Sequence, residues 1–341
     1  MQQASKTAVD IVFGAMTLGK QGAEQARVHS LEDCASILDV FQQYGHSEID
    51  TAIVYGGGSS EQYLGQLHWQ ERGIIMDTKF SPRTDLGLGP DIKTTHSPDH
   101  LRIALKKSLA SLKTDKIDMW YLHAPERSTP YETTLREVNN LHKEGYFRRF
   151  GISNYASWEV AQICEICDKN GWVKPVVYQG VYNALHRAVE PELFPCLRKY
   201  GIAFYAFNPL AGGYLTSRYT REMLNTDVGI EEGSRFDPKR RQGQNYRNRY
   251  WNEQYFDALE LLRPVVKRHG MSEAECALRW MTHHSMLKRV FSDAVIIGAS
   301  SAPQLEENLA NLEKGPLPED VLKALNEGWN IVRGVCGKYF H

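Results

Sequence analysis

Asp50, Tyr55, Lys79 and His123 are side chains of the types needed to deliver a proton to a carbonyl oxygen. Adding hydride to an aldehyde creates an alkoxide, and that oxygen must then gain a proton. A tyrosine can supply it, but a free phenol has a pKa of about 10 and holds its proton tightly. A neighbouring ammonium such as Lys79 lowers that value by favouring phenolate, and Asp50 can pair with the lysine and hold it in place. His123 can hydrogen-bond the carbonyl oxygen and orient it. A hydrolase using paired carboxylates, Asp50 and Glu61, is a rival reading, but it leaves Tyr55 and Lys79 without a role. The stretch "EIDTAIVYGGGSSEQYLG", Glu48 to Gly65, carries three successive glycines. It matches neither G-x-x-x-x-G-K-[ST] nor G-x-G-x-x-G. The glycines therefore read as a flexible turn, with Ser59 or Ser60 capping the helix that follows.

These residues act together only if the fold gathers them. Eight short apolar runs alternate with helical patterns, at 11–16, 47–50, 73–79, 117–123, 147–154, 175–179, 202–208 and 293–300. Continuous rather than alternating apolar character fits strands buried on both faces, hence a parallel sheet. Between the runs lie segments such as "SLEDCASILDVFQQYG", which opens with serine and acids and closes with glycine. Those are helix start and stop signals. Eight strand candidates, most followed by a helix, predict a closed (β/α)8 TIM barrel. Such a barrel takes about 250 residues. The excess over that length in this 341-residue chain is assigned to an insertion between the seventh and eighth strands, about 209–292, and to a tail after Lys314 over the barrel mouth. With no internal repeat and no linker, residues 1–341 read as a single domain.

The runs end at Met16, Asp50, Lys79, His123, Asn154, Gln179, Asn208 and Ser300. All but the first are polar or ionisable, directly after segments that belong in a core. In a barrel the C-terminal ends of the strands meet at one mouth, where this fold does its chemistry. Singly, each is an ordinary strand end; as a ring, they mark an active site.

Composition narrows the alternatives. Forty basic and 41 acidic residues leave a net charge of -1, so no overall field attracts nucleic acid or anionic membrane. No apolar run approaches the roughly 18 residues of a membrane span, and "MQQASKTAVD" has the pattern of neither a signal nor a transit peptide. Six scattered cysteines suit reduced thiols and a cytoplasmic protein. The C-x-x-C of Cys164 and Cys167 lies in a helical pattern without a second pair, and His283 and His284 face different sides of a helix. No metal is implied.

Around the four opening residues a resemblance becomes specific. "IDTAIVYGGGSSEQYLG" resembles the D-T-A-x-x-Y-G segment of the aldo-keto reductase superfamily, and Asp50, Tyr55, Lys79 and His123 fall where its catalytic tetrad does. "YLHAP", "GISNY", "VVYQGVYN", "NPLAGGYLTSRY", "YRNRYW" and "ALRWMTHHS" resemble its aflatoxin aldehyde reductase branch, which includes succinic semialdehyde reductases. The likeness runs from about Val12 to Phe340. It implies a (β/α)8 barrel that reduces aldehydes, and also ketones and dicarbonyls, with NADPH and without a metal.

The resemblance also implies site residues. Met16 and Asp50 would meet the cofactor at the mouth. Ser153, Asn154 and Gln179 would bind the nicotinamide carboxamide, with Tyr205 or its neighbours near the ring. Asn208, Pro209, Leu210, Ala211, Gly212, Gly213 and Arg218 would wrap the pyrophosphate, where glycines permit close backbone approach. Ser300, Ser301, Gln304, Glu307 and Asn308 would hold the adenosine 2'-phosphate and adenine at a helix N-terminus. Many superfamily members carry a basic residue where Gln304 stands, so Arg235 is the candidate to supply that charge. On the substrate side, His123, Tyr246 and Arg249 match positions the branch uses. An arginine fork suits a carboxylate, which favours small acid-bearing aldehydes such as succinic semialdehyde. Arg240, Arg241 and Arg247 read as a solvated basic loop. Relatives often end in an arginine where His341 stands, so the carboxylate preference is expected to be weaker and to grow at mildly acidic pH. Branch relatives are commonly homodimers. The alternative function is that of the voltage-gated potassium channel β subunits, which resemble the same superfamily and bind cofactor while serving as partners.

Overall fold

In the computed structural model, residues 6–82, 84–89 and 92–341 are described. The expected strands form at β1 (Asp10–Gly14), β2 (Glu48–Asp50), β3 (Ile75–Phe80), β4 (Ile117–Leu122), β5 (Phe147–Ser153), β6 (Pro175–Val181), β7 (Ala203–Phe207) and β8 (Ala294–Ile297). They pair in sequence order, all parallel, and β8 closes on β1. The architecture is a (β/α)8 TIM barrel, its strands buried on both faces as their apolar runs require.

Helices coat the outside. They are α1 (Leu31–Gln43), α2 (Ser59–Gln66), α3 (Pro98–Ser111), α4 (Tyr131–Lys143), α5 (Ser157–Asn170), α6 (Leu193–Tyr200), α7 (Arg241–Tyr250), α8 (Glu253–Arg268), α9 (Glu273–His283), α10 (Ala302–Leu312) and α11 (Glu319–Val332). Local chemistry sets their ends. The Ser30 side chain accepts from the Asp33 backbone N–H at 3.0 Å to start α1, while Gly171 and Gly201 take left-handed conformations to end α5 and α6. The stretch between β7 and β8 is not a bare loop: it contains α7, α8 and α9. The tail folds α11 back onto α8.

Side chains alternate across each strand, so residues two apart share the barrel interior. Register places Asp50 beside Asp77, Lys79 beside Tyr121, and Ser153 beside Gln179. Val12, Met119, Tyr121, Val177 and Ile296 pack the interior between those polar groups. Tyr121 fits because Gly151 stands opposite: a Cβ there would lie 2.4 Å from the tyrosine ring. The pairing of β5 with β6 shifts register between Phe150 and Gly151. Polar residues at the upper ends of the strands therefore converge on the mouth.

Candidate active site

Lys79, next to last in β3, is wholly buried, and Asp50 ends β2 beside it. Lys79 Nζ donates to Asp50 Oδ2 at 2.6 Å and to the Thr51 carbonyl at 2.6 Å. Gln179, from β6, donates to Asp50 Oδ1 at 2.9 Å. Burial works against the Lys79 charge, but Asp50 and the Tyr55 phenol more than offset it and hold the ammonium above the usual lysine range.

Tyr55 opens the turn Tyr55–Gly58 over this pair. Gly56, Gly57 and Gly58 all have positive φ (56°, 63° and 91°), a left-handed run that side-chain-bearing residues resist. At Gly56 a Cβ would also lie 2.6 Å from Ser59 Oγ. The turn brings the Tyr55 ring centroid to 5.0 Å from Lys79 Nζ and 5.7 Å from the His123 ring, edge to face at 81°. Burial is the largest influence on the phenol and pushes its pKa up; the Lys79 charge and hydrogen bond pull it down without cancelling that. Sequence reasoning saw only the lysine's part. The phenol therefore keeps its proton at neutral pH.

His123 directly follows β4. Its carbonyl accepts from Asn154 Nδ2 at 2.9 Å, and its backbone N–H donates to the Phe80 carbonyl at 2.8 Å. Glu61 lies on the other side of β3, accepting from Thr78 Oγ1 at 2.6 Å, its carboxyl pushed by burial up to about 7. Asp50 is committed to Lys79 on the inner face, so no carboxylate pair forms with Glu61.

A cavity of about 1000 Å³ opens above these groups. Met16, Asp50, Tyr55, His123, Ser153, Asn154, Gln179, Asn208, Pro209, Leu210, Gly212, Gly213, Arg218, Arg235, Tyr246, Arg249, Ser300, Gln304, Asn308 and His341 line it. Lys79 lies beneath its floor. Ala211 is buried behind its wall, while Ser301 and Glu307 are exposed. Ser301 instead caps α10, accepting from the Gln304 backbone N–H at 3.3 Å. Tyr205 points down the barrel toward Glu48, and its neighbour Phe207 reaches the cavity.

The residues present fit a dinucleotide. Asn208, at φ 61°, is almost wholly buried on the cavity wall, and its Nδ2 has no hydrogen-bond partner among the described residues. Gly212 and Gly213 have φ of 74° and 96°, and a Cβ on Gly212 would lie 2.3 Å from the Tyr246 ring. At Gly298, just past β8, a Cβ would stand 3.6 Å from Arg235 Nη2, which places that guanidinium near the start of α10. Ser300 donates to Gln304 Oε1 through both its backbone N–H, at 2.7 Å, and its hydroxyl, at 3.0 Å.

Tyr246 joins the two ends of the cavity. Its hydroxyl donates to Asn208 Oδ1 at 2.9 Å and accepts from Arg235 Nη1 at 3.1 Å. Arg249, on the same helix, is half-buried, and no described acid forms an ion pair with it. Arg247 points elsewhere, pairing with Asp227 at 2.5 Å and donating to the Phe236 carbonyl. The tail crosses the mouth, its last residue held where the His341 backbone N–H donates to the Asn154 carbonyl at 3.1 Å. Sequence reasoning missed Gly14, Arg27, Asn245, Asn248 and Phe340, which also line the cavity. The spacing of Arg241, Asn245, Asn248 and Arg249 along one side of α7 was the signal available. Cys164 and Cys167 are free, buried thiols, each pushed up to about 12 chiefly by burial. Among the described residues, no cluster of His, Cys, Asp or Glu is placed to hold a metal ion.

The family model described as "Aldo/keto reductase family" matches residues 10–330. The chain is 53% identical to an aldo-keto reductase of Pseudocercospora fijiensis over 89% of this chain and 100% of that one. It is 44% identical to aldo-keto reductase family 7 member A3 of Homo sapiens, over 99% of each chain. It is 43% identical to aflatoxin B1 aldehyde reductase member 2 of Mus musculus, over 96% of this chain and 87% of that protein.

The buried pair makes a stability prediction. Asp50→Ala strands the Lys79 charge and is expected to cost about 3–5 kcal/mol in chemical denaturation. Adding Lys79→Met to that variant removes the stranded charge and is expected to restore most of the loss.

Proposed function

The chain belongs to the aldo/keto reductase family and is an oxidoreductase, and on that premise we propose that it reduces aldehydes to alcohols with NADPH, Tyr55 acting as the acid. The observation that carries this reading is the Tyr55 phenol poised beside the buried Lys79–Asp50 pair and the His123 ring. The related enzymes named for aldehyde reduction support the substrate class. A single barrel domain holds every residue the reaction needs, and the buried free thiols suit a cytoplasmic setting. Association as a homodimer is part of the proposal by likeness to the branch alone.

NADPH, when bound, supplies the hydride. Ser153, Asn154 and Gln179 would hold its carboxamide; Gln179 already donates to Asp50, which leaves its carbonyl oxygen for an amide donor. Asn208 and the Gly212–Gly213 turn would take the pyrophosphate, and Ser300, the α10 N-terminus and Arg235 the 2'-phosphate. His123 orients the substrate oxygen. Tyr55 gives that oxygen its proton, and the Lys79 ammonium stabilises the phenolate left behind, while Asp50 and the Thr51 carbonyl keep the ammonium in place. Arg249, lining the cavity without an acidic partner, would anchor a substrate carboxylate. That favours small acid-bearing aldehydes such as succinic semialdehyde, with His341 adding charge at mildly acidic pH.

Tyr55→Phe is expected to retain cofactor affinity and lose on the order of 10²-fold or more in carbonyl reduction; near-normal turnover would remove Tyr55 from the role of acid. Arg249→Ala is expected to lower kcat/KM for succinic semialdehyde by on the order of tenfold or more, the scale of one charge-assisted contact. An uncharged aldehyde of similar length should change little, and equal losses on both would rule out a carboxylate anchor.

A further inference from the structure

Below the catalytic pair, the barrel interior holds more acids than cations to match them. Lys79 serves Asp50 at 2.6 Å. Arg149, on β5, donates to Glu48 at 2.6 Å and to Asp118, and its Nη1 reaches the Tyr205 hydroxyl at 3.3 Å. Asp77, on β3, remains. It is wholly buried, no donor among the described residues reaches either carboxyl oxygen, and its hydrogen-bond neighbour is another acid, Glu48. Arg149 Nη2 stands 3.9 Å from Oδ1, already committed to Glu48. Among the described residues, the Tyr121 hydroxyl near it likewise has no hydrogen-bond partner.

Most of what faces Asp77 disfavours a charge, and the two cations near it are committed to other acids, Lys79 to Asp50 and Arg149 to Glu48. β2 presents Glu48 below and Asp50 directly across in register. β3 itself presents Lys79, β4 Tyr121, β5 Arg149 and β7 Tyr205, while Asp118 is met only through Arg149. β1, β6 and β8 offer Val12, Val177, Ala294 and Ile296, with Asp10 exposed at the foot of β1. An ionised carboxylate buried without donors, next to two other acids, is among the costliest arrangements in a protein; such a group keeps its proton instead. Burial first, then the Glu48 charge, holds the Asp77 carboxyl well above the usual range, and Arg149 opposes this only in part.

We propose that Asp77 is a positioning residue held as a neutral carboxylic acid, whose lack of charge keeps Lys79 serving Asp50 and Tyr55 alone. This rests on the reductase reading above for its functional half. If Asp77 ionised, a second anion one strand position from Asp50 would draw on the same ammonium. The Tyr55 phenol would then become a weaker acid. Asp77 touches neither substrate nor cofactor; it acts through the pair above it.

The test is Asp77→Asn in the full-length protein, which keeps the shape and can never ionise. An acid whose folded pKa is raised binds its proton in the folded state and loses it on unfolding. Wild-type stability therefore falls as pH rises above the unfolded carboxyl value of about 3.9, and the asparagine variant escapes that fall. The difference in Tm, variant minus wild type, should be smallest near pH 4 and widen as pH rises. The variant-over-wild-type ratio of kcat for an aldehyde should climb at alkaline pH, where wild-type Asp77 is forced to ionise. It should reach up to about tenfold for a shift of one pKa unit passed to the phenol, with KM little affected. A Tm difference that turns negative and grows more so with pH would show an ionised Asp77 paired with Arg149 and overturn the proposal. A kcat ratio that is the same at every pH would overturn the positioning role. The Tm measurement needs no turnover, so it decides the charge of Asp77 even if the reductase reading fails.

Discussion

An ammonium with no solvent exposure must be matched by a carboxylate and hydrogen-bond acceptors, or it will not stay charged. Lys79 meets that demand through Asp50 and the Thr51 carbonyl, and much of the barrel mouth follows from it. Asp50 must end β2 where β3 presents Lys79. The chain must then turn over the pair at once, which the three left-handed glycines allow, and that turn puts the Tyr55 phenol within reach of the ammonium. Gln179 occupies the second oxygen of Asp50, so the carboxylate cannot swing away from the lysine. The proposed proton donor is thus placed by constraints that are first of all about burying a charge.

Around this centre the cavity divides between a side suited to a dinucleotide and a side suited to a small substrate. The ends of β6, β7 and β8 and the start of α10 make the first; α7 and the tail make the second. Tyr246 ties them, since its ring lies against Gly212 while its hydroxyl bridges Asn208 and Arg235. A residue expected to face substrate is therefore bonded to groups expected to face cofactor. Occupancy of one side should be felt on the other through this contact.

The strands, their order and the ring of polar strand ends were legible because two-sided burial writes continuous apolar runs and the fold puts strand ends together. Tyr55 was legible from its spacing to Asp50 and the glycines beyond it. Other features depend on side-chain direction, which local sequence does not carry. Ser301 looks like an anion-binding serine in the sequence, but its hydroxyl is taken by its own helix as a cap. Glu307 falls on the solvent face of α10, one residue from Asn308 on the wall. The expected fall in the Tyr55 pKa was judged from one neighbour; burial, a property of the whole mouth, reverses the net direction. The acids of the barrel floor went unnoticed because Glu48, Asp77 and Arg149 sit inside runs that read as plain strand, and only closure of the barrel brings them together.

The most direct measurement of the central claim is cofactor consumption by the purified protein on a series of aldehydes and ketones, with NADPH and NADH offered in parallel. The account predicts that aldehydes are converted to alcohols with one NADPH oxidised for each, and with higher kcat/KM than NADH supports. Tight binding of NADPH with no turnover of any carbonyl would contradict it, because the Tyr55–Lys79–Asp50 arrangement would then be a relic in a binding protein.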